Sequence, residues 1–218
     1  MTQAEAKNDK SIDLFAVRSL LFLPASNPRA IAKAREAGAD LVILDLEDAV
    51  KPPDKAEGRR AAVEAVATAW AMPVAIRING FGTEWHSLDL DAVARSSADL
   101  VVVPRAASEH LVRDVAATTG KPVMAMVETA AGVLTAPQIA HSCAGLIAGT
   151  NDLGADLRLP INSAREPIST ALQMIVLAAR AAGVAAFDGV FNGLDDPDGL
   201  AAHAYRQLAK EVLAHGNR

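Results

Sequence analysis

Aromatic residues make up only 4% of this 218-residue chain, and Cys143 is its single cysteine. The first shortage leaves Ala, Val, Leu and Ile to fill the core, and a chain that is 51% hydrophobic and 22% charged has the material for one. The second excludes a disulfide framework. A lone thiol just ahead of a strand, with no partner base in view, reads as buried and inert rather than nucleophilic. Basic charge is also short: a net charge of −5 argues against a general nucleic-acid binder, which would show a clustered basic excess. No apolar run approaches the ~20 residues that span a bilayer. The opening "MTQAEAKNDKSID" has no apolar core of signal-peptide type. These absences describe a soluble, cytoplasmic protein with no nucleic-acid or membrane partner, frayed over residues 1–13 and folded as one domain over 14–218.

What is present is a series of short apolar runs, each followed by a helix-like segment. The runs are "SLLFLP" (19–24), "LVILDL" (41–46), "VAIRIN" (74–79), "LVVVPR" (100–105), "VMAMVET" (123–129), "GLIAGT" (145–150) and "AAFDGV" (185–190). They are continuous rather than alternating, as expected of strands buried on both faces of a parallel sheet. Ala-rich stretches such as "RAIAKAREAG" and "STALQMIVLAARAAG" separate them, with Gly38, Gly120 and Gly183 punctuating the helix ends. "NPRA" and "DPDG" offer an Asn or Asp cap before a first-turn proline.

Such a βα series is an α/β protein, either a doubly wound open sheet or a barrel. The Gly-rich dinucleotide turn is missing after the first strand, where "LPASNPRA" stands. Polar residues also close most of the strands: Arg77, Arg105, Glu128 and Asp152 all follow apolar runs. In a barrel these ends meet at one mouth. The fold class is therefore a TIM (β/α)8-type barrel. Seven strands are countable, and after Asp198 the chain reads as one helix, so the eighth strand is lacking or replaced.

Glu128 and Asp152 are carboxylates just beyond successive strands. Two converging carboxylates with open positions suit Mg²⁺, which keeps several waters and takes one or two protein carboxylates. The alternative is that each caps the helix after it. Arg77 inside an apolar strand is costly unless paired. It either bridges to Glu47 or Asp48, or grips a substrate carboxylate through its planar fork. Arg105 and Arg18 are weaker cases of the same kind, and Arg18 precedes its strand and so belongs at the opposite end. Asp45 reads as a structural anchor at the rim. The histidines at 86, 110, 141, 203 and 215 form no HExxH pair, and surface positions are expected for each. "GLDDPDG" (193–199) lacks EF-hand spacing and reads as the cap of the last helix.

With these residues placed, the chain resembles the citrate lyase beta subunit family, the CoA-thioester branch of the HpcH/HpaI aldolase superfamily. The resemblance runs from about 17 to 200 through "RSLLFLPASNP", "DLVILDLEDAVKPPDKAEGR", "AIRING", "MAMVETAAGV", "GTNDL" and "FDGVFNGLDDPDG". It implies a TIM barrel assembled as a homo-oligomer, a trimer or hexamer, and Mg²⁺-dependent cleavage or formation of a 3-hydroxy-3-carboxyacyl-CoA thioester. CoA thioesters and keto acids would be its small-molecule partners. By motif, Glu128 and Asp152 resemble the metal ligands, with Glu128 also at the substrate. Arg77 resembles the arginine that binds the keto-acid carboxylate, and Glu47 and Asp48 the acidic pair near the metal's waters. Members usually continue past "DDPDG" into a further strand and a C-terminal segment, which this sequence does not show; Arg105 stands where many carry Lys. The alternatives are an aldolase acting on free 2-keto acids and a shortened, non-catalytic or partner-completed paralogue.

Overall fold

The computed structural model describes residues 12–160 and 165–191. Among the described residues seven strands form one wholly parallel sheet in the order of the sequence. They are β1 (Leu20–Pro24), β2 (Leu41–Asp45), β3 (Val74–Arg77), β4 (Leu100–Val103), β5 (Val123–Val127), β6 (Gly145–Ala148) and β7 (Ala185–Phe187). The helices α1 (Pro28–Ala34), α2 (Lys55–Val66), α3 (His86–Ala94), α4 (Glu109–Thr119), α5 (Ala130–Ala140), α6 (Thr150–Asp156) and α7 (Ser169–Ala182) occupy the connections. The compact unit ends at Asp188. The expected last helix, its cap "GLDDPDG" and the place of an eighth strand lie outside the described residues, as do residues 1–11, His203 and His215.

Helix ends follow the sequence signals. Asn27 Oδ1 accepts from the N–H groups of Arg29 and Ala30, with Pro28 opening α1. Ser108 caps α4 and Thr129 caps α5 in the same way. Gly120 and Gly183 close α4 and α7 with left-handed φ values of 66° and 71°.

Period-two alternation separates two cores. One face of the strands, including Val42, Leu44, Ile76, Val101, Val103, Val127 and Leu146, packs with the helix residues. The other face carries Leu41, Ile43, Ala75, Leu100, Val102, Met124, Met126 and Ile147. Leu20 and Phe22 of β1 and Phe187 of β7 pack on this same inner layer, so the sheet curls until both of its edges share one interior. Leu14, Ile12 and Val17 join that layer from the N-terminal segment. The alternation then fixes what reaches the C-terminal mouth: Asp45 follows Ile43, Arg77 follows Ala75 and Glu128 follows Met126. At the opposite end, Arg18 pairs with Asp40 at 2.9 Å, as its position ahead of β1 implies. Among the described residues no helix is long and apolar enough to cross a membrane.

Candidate active site

The parallel register sets Asp45 of β2 directly beside Arg77 of β3. Asp45 Oδ1 accepts from Arg77 Nε at 2.7 Å and Oδ2 from Nη2 at 2.6 Å, a bidentate pair buried on both sides. The same carboxylate accepts from Glu47 N at 2.8 Å and Ala49 N at 3.0 Å. Asp45 thus anchors both the arginine and the turn that carries Glu47 and Asp48. The sequence offered Glu47 or Asp48 as the partner of Arg77. The structure gives the fork to Asp45, because the register places the two side by side. Glu47 Oε2 lies 3.0 Å from Arg77 Nη1, while Asp48 stands off at 3.7 Å with a side chain 66% exposed. The Phe22 ring lies 5.5 Å from the guanidinium carbon and Met126 Sδ 3.7 Å from Nη1. Burial works against the Arg77 cation, but Asp45, Glu47 and Asp48 outweigh it and hold its pKa above the ordinary value.

Two acids of this mouth, Glu47 and Glu128, are themselves perturbed. Burial pushes Glu47 up to about 8; Arg77 offsets part of the rise, and Asp48, Glu128 and Asp45 add to it. Glu47 Oε2 is buried and accepts no hydrogen bond among the described residues. Burial likewise pushes Glu128 up to about 7, with the Arg105 N–H opposing, Asp152 raising, Arg77 lowering and Asp48 raising. Glu128 does not cap α5, since Thr129 does, and the N–H of Ala130 goes to Asp156 Oδ2 at 2.8 Å. Instead Glu128 Oε1 accepts from Arg105 N at 2.6 Å. Arg105 reaches that position with a left-handed φ of 49°, which costs a non-glycine residue energy. Its side chain is exposed and contributes only its backbone here. The other side of Glu128 lies against Gly149, where any Cβ would collide with the Glu128 side chain. Gly149 is also the cap position of α6 and has no side chain to offer it; Asp152 stands in the first turn of that helix.

Among the described residues no three His, Cys, Asp or Glu side chains gather into a metal cluster. The mouth offers two carboxylates, Glu128 and Asp152, close enough for the second to raise the pKa of the first. A buried carboxylate repelled by its neighbour, with Gly149 leaving it room, is the donor set that a hard divalent cation requires. The residues present fit Mg²⁺.

Sequence reasoning missed a second polar layer. Lys55 and Asp89 are both buried, and Asp89 receives Arg59 Nε at 2.6 Å. His86 was expected at the surface but is 7% exposed, with Nδ1 2.9 Å from the Asn79 carbonyl. Residues 86, 89 and 93 share one buried stripe of α3. That helical spacing was the signal available: it places a His and an Asp on an inward face. His110 and His141 are exposed as expected. Cys143 is half-buried, and burial pushes its thiol up to about 11, the inert state expected of it.

Beside the mouth a cavity of about 560 Å³ is lined by Pro24, Asn27, Arg29, Ala49, Lys51 and Asp54, among others. Pro24 is the register partner of Asp45, so the cavity wall adjoins the buried pair.

The family model for HpcH/HpaI aldolase/citrate lyase matches residues 18–212. The chain belongs to that family. It is therefore a citrate lyase beta-like enzyme of the lyase class. It is 40% identical over 190 residues to a (3S)-malyl-CoA thioesterase of Cereibacter sphaeroides, a match covering 85% of this chain and 67% of the relative. Among solved structures it resembles CitE of Mycobacterium tuberculosis in complex with magnesium, acetoacetate and coenzyme A. That likeness has a TM-score of 0.78 and 34% identity, and covers 87% of this chain and 72% of the other. The citrate lyase beta subunit of M. tuberculosis complexed with oxaloacetate and magnesium matches with a TM-score of 0.78 and 33% identity, over 93% and 90% of the two chains.

Proposed function

We propose that this family member is a Mg²⁺-dependent carbon–carbon lyase that cleaves, or forms, a 3-hydroxy-3-carboxyacyl-CoA thioester, yielding an acyl thioester and a keto acid. The observation that carries the reading is the acidic mouth around Arg77: half-buried Glu47 lies 3.0 Å from its guanidinium, buried Glu128 follows strand β5, and burial pushes both acids toward neutrality. Glu128 and Asp152 would hold the Mg²⁺, which when bound stabilises negative charge on the substrate's oxygens. Arg77, fixed by Asp45, presents its Nη1 edge to the substrate carboxylate and sets orientation. Glu47, with its pKa raised toward neutrality, takes the hydroxyl proton as the carbon–carbon bond breaks, and a proton then reaches the enolate carbon left on the acyl thioester; in the condensation direction a proton leaves that carbon and Glu47 returns one to the new hydroxyl. Asp48, exposed at the rim, adds negative field rather than a proton relay. Arg29 and Lys51 in the adjoining cavity supply positive charge for an anionic CoA chain.

A second reading is hydrolysis of the same thioester, favoured by the 40% identity to a malyl-CoA thioesterase. One experiment separates them. Malyl-, citramalyl- and citryl-CoA are supplied with Mg²⁺ or with chelator. Keto acid is trapped as its phenylhydrazone and free CoA thiol is titrated. Mg²⁺-dependent keto acid without free thiol supports the lyase; thiol without keto acid supports hydrolysis. Neither product, with Mg²⁺ still bound, sinks both. Glu128→Ala and Asp152→Ala should each abolish Mg²⁺ binding by calorimetry, and unchanged affinity in both would sink the ligand assignment. The reading extends to a cytoplasmic homo-oligomer; exposed Leu134 and Leu177, on the mutually packed helices α5 and α7, support the association, which sedimentation velocity tests.

A further inference from the structure

One buried polar cluster lies beside the mouth and takes no part in the chemistry above. The geometry points to Lys55 as a positioning residue that sets the Glu47 carboxylate, itself held in place by Asn79, Asp89 and Arg59. Its effect on turnover rests on the lyase reading of Glu47; its effect on the turn does not.

Lys55 opens α2 but folds back toward the end of β2. Its ammonium donates to Leu46 O at 2.7 Å, Glu47 O at 2.6 Å and Asn79 Oδ1 at 2.6 Å, which uses all three of its hydrogens. The Trp85 ring covers it from 5.1 Å. Asp45 grips the same turn through the opposite polarity, taking the N–H groups of Glu47 and Ala49. The N–H of Glu47 is therefore fixed by an anion and its C=O by a cation. With both flanking peptide groups held, only side-chain rotation remains to Glu47. Arg77 Nη1 at 3.0 Å and Gly80 beside Oε1 then define where the carboxylate stops.

The acceptor face of Asn79 is not a free choice. Its backbone N and its Nδ2 both donate to Asp89 Oδ2, at 2.8 and 2.6 Å, and His86 Nδ1 meets its carbonyl. Asp89, fully buried, is held in turn by Arg59. A flipped Asn79 amide would set its NH₂ against the ammonium. The exits of β2 and β3 are thereby tied together at the turn that carries the acid.

Lys55→Met keeps the stem and removes the three donors. In the metal-free protein, hydrogen exchange should show protection at the amides of Glu47, Ala49 and Val50 falling about tenfold or more while β4 keeps its own. In the Mg²⁺ enzyme, kcat should fall about tenfold with Mg²⁺ affinity and KM for the keto acid unchanged. The loss should vanish when Lys55→Met is added to Glu47→Gln, because a residue acting through Glu47 has nothing left to position. Unchanged protection at the turn, additive losses in the double variant, or loss of protection throughout the barrel would each overturn the assignment. If Lys55→Met does not fold, Lys55→Gln carries the same comparisons. A wild type without turnover whose Lys55→Met variant still loses protection at the turn would sink the lyase reading and leave the positioning standing.

Discussion

Replacing Glu47 with Gln removes a charge while keeping the shape of a protonated carboxyl. Its effect on stability should therefore depend on pH in one direction only. The folded-state pKa of Glu47 is raised from 4.5 to about 8, chiefly by burial. A raised value means that its stability contribution is full below about pH 4.5 and is lost as pH climbs through about 8. At about 1.4 kcal/mol per pKa unit, the wild type should lose about 4 kcal/mol relative to Glu47→Gln between about pH 5 and about pH 9. The side chain is 14% exposed, so solvent screening trims this figure without erasing it. The assay is urea unfolding of the metal-free proteins in chelator at both pH values, where groups common to both proteins cancel in the difference. A difference that stays constant across the range would refute the claim that Glu47 is buried against its own charge, and with it the proposed proton role.

Asp45→Asn should cost about 3–5 kcal/mol by the same unfolding measurement, since it leaves Arg77 buried without its bidentate partner and sets an NH₂ group among donors. A loss below about 1 kcal/mol would show that the pair is dispensable. Gly149→Ala should force the Glu128 side chain aside, lower stability by about 1–3 kcal/mol and weaken Mg²⁺ binding; unchanged calorimetric affinity would mean that Glu128 is not a ligand in that rotamer. Arg77→Lys should weaken keto-acid binding about tenfold, because one ammonium cannot span both Asp45 oxygens and still face the substrate. Equal keto-acid affinity would make Arg77 purely structural.

The seven strands were legible because each is a short continuous apolar run, and each ends within three residues of where the run stops. The inner and outer faces were not. A run such as Leu41–Leu44, apolar on both sides, hides its period of two, and only the phase of Asp45 and Arg77 reveals which face points inward. The carboxylates at 128 and 152 were readable from their places after strands. The Asp45–Arg77 pairing was not, since it depends on the offset between β2 and β3, which no local pattern encodes. Nothing local in the sequence marks Lys55, which opens α2; its burial follows from a turn eight residues earlier, and that is a tertiary fact. Glu47 and Asp48, adjacent in sequence, part company for the same reason: one turns in against Arg77 and the other out to solvent.

The split between the two strand faces also bears on how such a protein can change over evolutionary time. The positions that grip the helices and the positions that end at the mouth alternate along every strand, so the two sets can drift almost independently. Helix packing rests on one set, while the other fills the interior and ends in the handful of polar residues at the mouth. A lineage can therefore alter the proposed chemistry through side chains such as Glu47 and Glu128 while the helix-packed layer keeps its contacts. On that view, relatives named for lyase and for thioesterase chemistry are what one sheet with two separately editable faces would be expected to yield.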